Sequence, residues 1–345
     1  MTERIEIDGS HGEGGGQIVR SSLALSLLTG RPVTIDRIRA GREKPGLQRQ
    51  HLAAVDAAVA VSGGEARGAA LGASSITFHP GSVRGGEYTF RVGTAGSTTL
   101  VLQTVLPALL LAPTPSRLIL EGGTHNPWAP PYDFLARAYL PLINQLGPHV
   151  TLQLSEYGFY PAGGGRITID IQPASRLLGL ELLTRGEFRH RRVVVLLARL
   201  PAHIAEREAS AIIEPLGWSP EDVEVCRVSS RGPGNVVFAE WSSGAVCEVF
   251  TGFGRIGTRA EEVGREVVAQ VESYLATDAP VGPYLADQLL LPLGVAAWQG
   301  HPSVFRTMSL SLHSTTHRDI VQRFLDIEME LIEDSDSGTT RVQLR

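Results

Sequence analysis

Three stretches of this 345-residue chain hold residue types and spacings suited to phosphate chemistry. The first is His11-Gly12-Glu13-Gly14-Gly15-Gly16-Gln17, set between an alternating segment, RIEID, and an apolar one, QIVRSSLALSLL. Glycines let the backbone approach a ligand closely, and the free N–H groups of a helix start attract an anion. Glu13 places a carboxylate inside that turn, as expected where a divalent metal bridges protein and phosphate. Arg20 lies three residues after Gln17, so the two can share a helix face. The glycines alone are equally consistent with a plain turn, and their spacing is not the G-x-G-x-x-G of dinucleotide sites.

The second stretch holds Arg37, Arg39, Arg42, Lys44 and Arg49 against one acid, Glu43. It flanks a Pro-Gly turn and opens the helix LQRQHLAAVDAAVAV, which places Arg49 and Gln50 at an anion-favouring end. Guanidinium forks match phosphate oxygens; a solvated charged face is the other reading. The third stretch holds His313 and His317, spaced i, i+4, which could set two metal ligands on one helical face, although no third ligand is nearby. His313 follows the strand SLSL and precedes the polar turn STT that opens the helix HRDIVQRFL. A helix N-terminus disfavours imidazolium, so a neutral His313 with a free lone pair is expected, the state a nucleophile on phosphorus needs. A turn histidine capping a helix is the alternative. In Tyr284-Leu285-Ala286-Asp287-Gln288, Asp287 and Gln288 are N-terminal polar groups, for capping or for ribose or base recognition. Trp128 and Tyr132, in THNPWAPPYDF, could stack on a base.

Composition excludes several alternatives. Of 31 Lys and Arg, one is lysine, Lys44, and no G-x-x-x-x-G-K-[ST] occurs, so there is no Walker A loop. The net charge of −5 gives no general basic field, which argues against a protein that coats nucleic acid and permits one that grips a strand end. Cys226 and Cys247 form no C-x-x-C pair and read as buried structural thiols. The stretch VLQTVLPALLLA is interrupted by Gln103, Thr104 and Pro107, so no membrane span is expected; with no signal-like N-terminus, a cytoplasmic protein is expected.

These groups must be positioned by a repeated scaffold. Three segments share one plan of small-residue turn, apolar helix and β-branched strand: GEGGGQIVRSSLALSLLTG with RPVTIDRI, VGTAGSTTLVLQTVLPALLLA with SRLILEG, and VGPYLADQLLLPLGVAAWQG with SVFRTMSLSL. A second helix and alternating strands follow each. The expected fold class is α/β (α+β), with three strand-and-two-helix units in pseudo-threefold arrangement. The wide gap before the third unit predicts a small inserted α/β domain over 182–275, leaving 1–181 and 276–345 as a discontinuous catalytic domain. Within the insert, a helix capping box is expected at Thr258 and Glu261. Arg189, His190, Arg191 and Arg192 form a basic cluster there, either an RNA contact or a solvated strand end.

The motifs IDGSHGEGGGQIVRS, RAGREKPGLQRQHL, GTAGSTTLVLQTVLPAL, GGTHNPWAPPYDF, GFYPAGGG, HIAEREA, GPGN and YLADQLLLP, in this order, closely resemble the RNA 3′-terminal phosphate cyclase family over essentially the full length. The resemblance implies an ATP-dependent enzyme that forms a covalent histidine–AMP. It then transfers AMP to an RNA 3′-phosphate and closes a 2′,3′-cyclic phosphate. It makes His313 the nucleophile, with His317 the local competitor. It makes Glu13 a ligand for Mg²⁺ or Mn²⁺, with Gln103 beside it in the nucleotide site. Arg20, Arg39, Arg42 and Gln50 fall to the triphosphate, and Tyr284, Leu285, Ala286, Asp287 and Gln288 to the nucleotide, with Pro130 walling the adenine. The implied partners are ATP and RNA 3′-phosphate ends, with no membrane; the oligomeric state stays open, a homodimer among the options. Two other classes were weighed. A non-catalytic relative in RNA processing or ribosome assembly would lack the nucleophile, and a carboxyvinyl-type transferase suits a chain with one lysine poorly.

Overall fold

The computed structural model describes residues 3–93 and 95–345. Its first sheet contains β1 (Ile5–Asp8), β2 (Val33–Asp36), β3 (Glu65–Arg67) and β4 (Ile76–His79), with helices α1 (Gly16–Thr29) and α2 (Arg49–Ser62). The strand order is β1-β2-β4-β3, with β1 parallel to β2 and the other pairs antiparallel. A parallel pair needs a crossover, and the apolar α1 supplies it. The second sheet, β5 (Glu87–Arg91), β6 (Ser116–Gly122), β7 (His149–Glu156) and β8 (Gly165–Gln172), has the order β5-β6-β8-β7 and the same strand senses. Its helices are α3 (Thr98–Leu109) and then α4 (Tyr132–Phe134), a π-helical turn at Leu135–Tyr139 and α5 (Leu140–Gln145).

The chain next forms a two-residue strand, β9 (Glu181–Leu182), and leaves for a separate sheet. That sheet is built from β10 (Phe188–Ala198), β11 (Val223–Arg227), β12 (Gly234–Ser243) and β13 (Cys247–Phe253), ordered β11-β10-β12-β13, with α6 (His203–Leu216) and α7 (Ala260–Leu275). The chain returns as α8 (Pro283–Trp298), β14 (Ser303–Met308), α9 (Leu312–Phe324), β15 (Met329–Asp334) and β16 (Thr339–Leu344). Their sheet, β15-β16-β14-β9, repeats the senses of the first two, with β9 as the strand parallel to β14. The strand that opens this third sheet therefore precedes the excursion, whereas the sequence reading began the third copy at its helix. Two residues carry no periodic signal, so β9 is silent in the sequence.

The excursion has its own core, in which Val193, Val195 and Leu197 of β10 meet Ile212, Trp218, Val267 and Tyr274. The alternate residues Val194, Leu196 and Ala198 join the main core. Period-two alternation thus buries both faces of β10, binding the insert's sheet to the body while its other face covers the insert's helices. Helix α7 starts at Ala260, and Glu262 accepts from the N–H of Arg259 at 3.3 Å, one residue later than the capping box expected at Thr258 and Glu261. Cys226 and Cys247 are half-buried rather than buried; burial pushes their thiols up, to about 11 and about 12. Among the described residues no helix is long and apolar enough to cross a membrane.

Candidate active site

The first turns of α1, α8 and α9 converge, and the glycine-rich turn is what lets them. Gly12 (φ 55°) and Gly14 (φ 60°) occupy the left-handed region. A Cβ on Gly12 would lie 2.1 Å from Thr316 Oγ1 on α9, and one on Gly16 would lie 2.2 Å from His51 Nε2 on α2. Two helices therefore pack against bare backbone. Thr316 Oγ1 accepts from the N–H of Glu13 at 3.0 Å, and His11 Nε2 lies 3.0 Å from Asp319 Oδ2, so α9 is fastened to the turn along its length.

His313 occupies the first turn of α9, whose N-cap Ser311 accepts from the N–H of Ser314. Its Nδ1 is 2.9 Å from Asp287 Oδ1, and because a carboxylate only accepts, Nδ1 carries the proton. Nε2 faces the other way, 3.7 Å from Glu13 Oε2. Asp287 is itself buried and fully engaged. Oδ1 also accepts from Gln17 Nε2 at 2.9 Å, and Oδ2 from Gln288 Nε2 at 3.0 Å. Burial opposes its charge, but the bonds from His313 and His317 outweigh this and hold the carboxyl well below the usual range. His317 is buried; its Nδ1 donates to the backbone carbonyl of Asp287 at 3.1 Å, and its Nε2 has no partner among the described residues.

This geometry opposes one expectation. The helix start predicts a neutral His313, yet the His313 pKa is raised: burial works against the imidazolium, but the bond to Asp287 and the charges of Asp287 and Glu13 prevail. A carboxylate 2.9 Å away acts more strongly than a partial dipole charge.

Arg20 is half-buried, with its Nε buried and without a partner among the described residues; burial lowers it to about 10 although Asp287 and Glu13 support its charge. Arg42 is exposed and reaches the Glu13 carboxylate and carbonyl. Arg39 (φ 53°) is turned inward, bonding the carbonyls of Lys44 and Gly46. His51 is buried, and its Nδ1 accepts from the N–H of Gln48 at 2.9 Å; burial, Arg20 and Arg39 push it down to about 3, so it stays neutral beside the cations.

One cleft gathers Gln17, Arg20, Gln103, Asp287, Gln288 and His313. Gln103 donates to Gln288 there. Tyr284 is 62% exposed at the start of α8, while Leu285 and Ala286 are fully buried in the core and line no part of the cleft. Gln50 lies half-buried in the first turn of α2, and Pro130 in the loop before α4; neither lines this cleft. Trp128 is 92% exposed, but the Tyr132 hydroxyl donates to the Leu152 carbonyl and serves the framework. Arg191 and Arg192 of the basic cluster are paired with Asp222 and with Glu240 and Glu224. The sequence reading missed His51, Thr316 and the Gln17–Asp287 bond. The i, i+4 spacing of Gly12-Gly16 opposite polar residues was the only trace of that packing.

Among the described residues no three His, Cys, Asp or Glu side chains gather to hold a metal. Mg²⁺ commonly takes one or two carboxylates and completes its shell with water and substrate phosphate. Glu13, half-exposed with Oε2 turned to the cleft side at His313, fits that share.

Fold and site together define a mixed α/β protein that places an oriented histidine–carboxylate pair beside guanidinium groups and a glycine turn. A family model described as RNA 3′-terminal phosphate cyclase matches residues 11–331. A protein of Koribacter versatilis (strain Ellin345) named RNA 3′-terminal phosphate cyclase is 48% identical over 342 residues, 99% of this chain and 95% of that protein. One of the same name from Ectopseudomonas mendocina (strain ymp) is 44% identical over 342 residues, 99% of this chain and 98% of that protein. The chain belongs to the RNA 3′-terminal phosphate cyclase family, a family of enzymes. The crystal structure of the enolpyruvyl transferase NikO from Streptomyces tendae aligns with 99% of this chain and 48% of its own, at 11% identity and TM-score 0.38. The chain spans about half of that structure, and so slight a likeness carries no argument.

Proposed function

We propose that the enzyme converts an RNA 3′-phosphate to a 2′,3′-cyclic phosphate by way of AMP carried on His313. His313 Nε2 attacks the α-phosphate of ATP and pyrophosphate leaves. The P–N bond is then broken by an oxygen of the RNA 3′-phosphate, which takes the AMP. Finally the neighbouring 2′-hydroxyl attacks the activated phosphorus, giving up its proton, and AMP departs. A phosphate monoester carries nearly two charges and lacks a good leaving group, which is what adenylylation repairs.

The observation that carries this reading is the pairing of His313 Nδ1 with Asp287, which leaves Nε2 directed at Glu13. Asp287 holds the ring in one tautomer and supports the charge it acquires, as an oriented base requires. Arg20, with its unpartnered Nε, and Arg42 are assigned to the triphosphate, with Arg39 and Gln50 flanking. Tyr284, Gln288 and Pro130 are assigned to the nucleoside, with Leu285 and Ala286 placing them from the core beneath. Glu13, with Gln103 as second candidate, would hold Mg²⁺ or Mn²⁺, which supplies charge neutralisation at the phosphates. Attack needs an unprotonated Nε2; burial favours that state, while the Asp287 bond and the charges of Asp287 and Glu13 oppose it and raise the pKa.

The scaffold reading is part of the proposal: three units of one connectivity about a pseudo-threefold axis (1–181 and 276–345), interrupted by an inserted domain over 182–275. The strand order and senses common to three sheets support it. Incubation with α-labelled ATP tests the chemistry. The wild-type protein should acquire an acid-labile, hydroxylamine-resistant label and His313→Ala none; label retained by His313→Ala would refute the assignment.

A further inference from the structure

The chain re-enters the main body from the insert at the start of α8, the helix that carries Asp287, and the insert grips that entry point. Arg185 donates to the carbonyls of Tyr274, Thr277 and Ala279 at 2.8–2.9 Å, and its guanidinium lies 3.9 Å from the Tyr274 ring centroid. The Tyr274 hydroxyl donates to the Pro280 carbonyl at 2.9 Å. The last clamp is Glu248 of β13, 2% exposed, whose Oε1 accepts from the N–H of Gly282 at 2.6 Å. Gly282 is the N-cap of α8, and a Cβ there would lie 2.9 Å from Glu248 Oε2. On its other side the entry is tied to β14, where the N–H of Val281 reaches the Arg306 carbonyl at 3.3 Å.

We propose that Glu248 is a positioning residue: from the inserted sheet it fixes the start of α8, and so the Asp287 carboxylate and the His313 ring bonded to it. This rests on the reading of His313 as the nucleophile. Asp287 lies five residues after Gly282, about 7.5 Å along a rigid helix. Movement at the N-cap is therefore carried to Asp287 with little loss. Misplacement by about 1 Å suffices to slow an oriented reaction strongly. The insert then sets the geometry of a centre to which it contributes no reacting atom. Burial pushes the Glu248 carboxyl up to about 8, against the Gly282 N–H and Arg185. A neutral acceptor therefore serves near neutral pH, and glutamine should replace it.

The test is single-turnover adenylylation with α-labelled ATP over a range of ATP concentrations. Glu248→Ala should lower the rate at saturating ATP by about tenfold or more and raise half-saturation as well, because Tyr284 and Gln288 ride on α8 with Asp287. Glu248→Gln should stay within about threefold of wild type in rate. A folded Glu248→Ala protein with the wild-type rate overturns the proposal, as does a Glu248→Gln protein as slow as the alanine variant. If Glu248→Ala does not fold, Gly282→Ala replaces it, since its Cβ displaces the carboxyl while the backbone (φ −75°) accepts alanine. The same loss is expected, and an unchanged rate overturns the proposal. Hydrogen exchange gives a readout independent of chemistry: loss of the clamp should speed exchange at 282–288 and 312–316 and spare the first sheet. A wild-type protein that takes no label rejects the reading of His313, while exchange still decides the coupling; unchanged exchange at 312–316 overturns it.

Discussion

The cleft at His313 and the ionic seam between the second sheet's helices and the insert are built from the same residue types to opposite ends. In the seam every charge is answered. His125 Nε2 lies 2.9 Å from Asp133, Asp133 lies 3.6 Å from Arg137, Arg137 meets Glu240 at 2.8 Å, and Glu240 meets Arg192 at 2.7 Å. In the cleft, Gln17 Oε1, Arg20 Nε and His317 Nε2 are buried with no partner among the described residues. A buried polar group without a partner costs roughly 1–3 kcal/mol, and a ligand in this cleft would complete these three. In the seam the charged groups are closed onto one another; in the cleft these three atoms are left open.

That contrast is broken or sharpened by substitution on either side. Asp287→Ala should have the largest effect, about 10³-fold on the adenylylation rate or about 4 kcal/mol, because ring orientation and tautomer are lost together. Single-turnover labelling reads it, and a loss under tenfold would move Asp287 out of the machinery. On the seam, Glu240→Ala should cost about 1–2 kcal/mol in urea unfolding, because Arg137 and Arg192 lose their nearest carboxylate and keep only Asp133 and Glu224, yet leave the rate per folded molecule near wild type. A large rate loss there would erase the distinction between the regions.

Glu208, fully buried in α6 and bonded by Asn235 at 2.9 Å, gives a pH test away from the cleft. Burial raises its carboxyl to about 7 from the ordinary 4.5. Below 4.5 the group is neutral in both folded and unfolded chains; above it the unfolded chain ionises first, and the penalty is complete once pH passes about 7. Wild-type protein should therefore lose about 3 kcal/mol across that window that Glu208→Gln retains, read as urea midpoints at each end. Parallel pH profiles for the two proteins would contradict this. The smallest effect is expected of His317→Ala, under about tenfold in rate, since its ring supports the Asp287 backbone while Nε2 faces the cleft.

Much of this was legible because it is local. The alternating strands, the glycine turn before an apolar helix and the histidine at a helix start all lie within a dozen residues. What was hidden depends on distant partners. The sequence suggests capping or nucleotide contact for Asp287, whereas in space it orients a ring 26 residues away. His51 reads as the point where a helix turns apolar, yet it packs under Gly16 as a neutral spacer between cations. At His313 the helix end is visible in sequence, while the carboxylate that raises its pKa is not. Strand β9 is too short to show a period, so the point where the third unit opens could not be found.

Peptide mapping of protein labelled with α-³²P ATP tests the central claim most directly. The account predicts the nucleotide on the peptide that contains His313, attached through imidazole Nε2. Label on His317, on Lys44 or on any other side chain would contradict it.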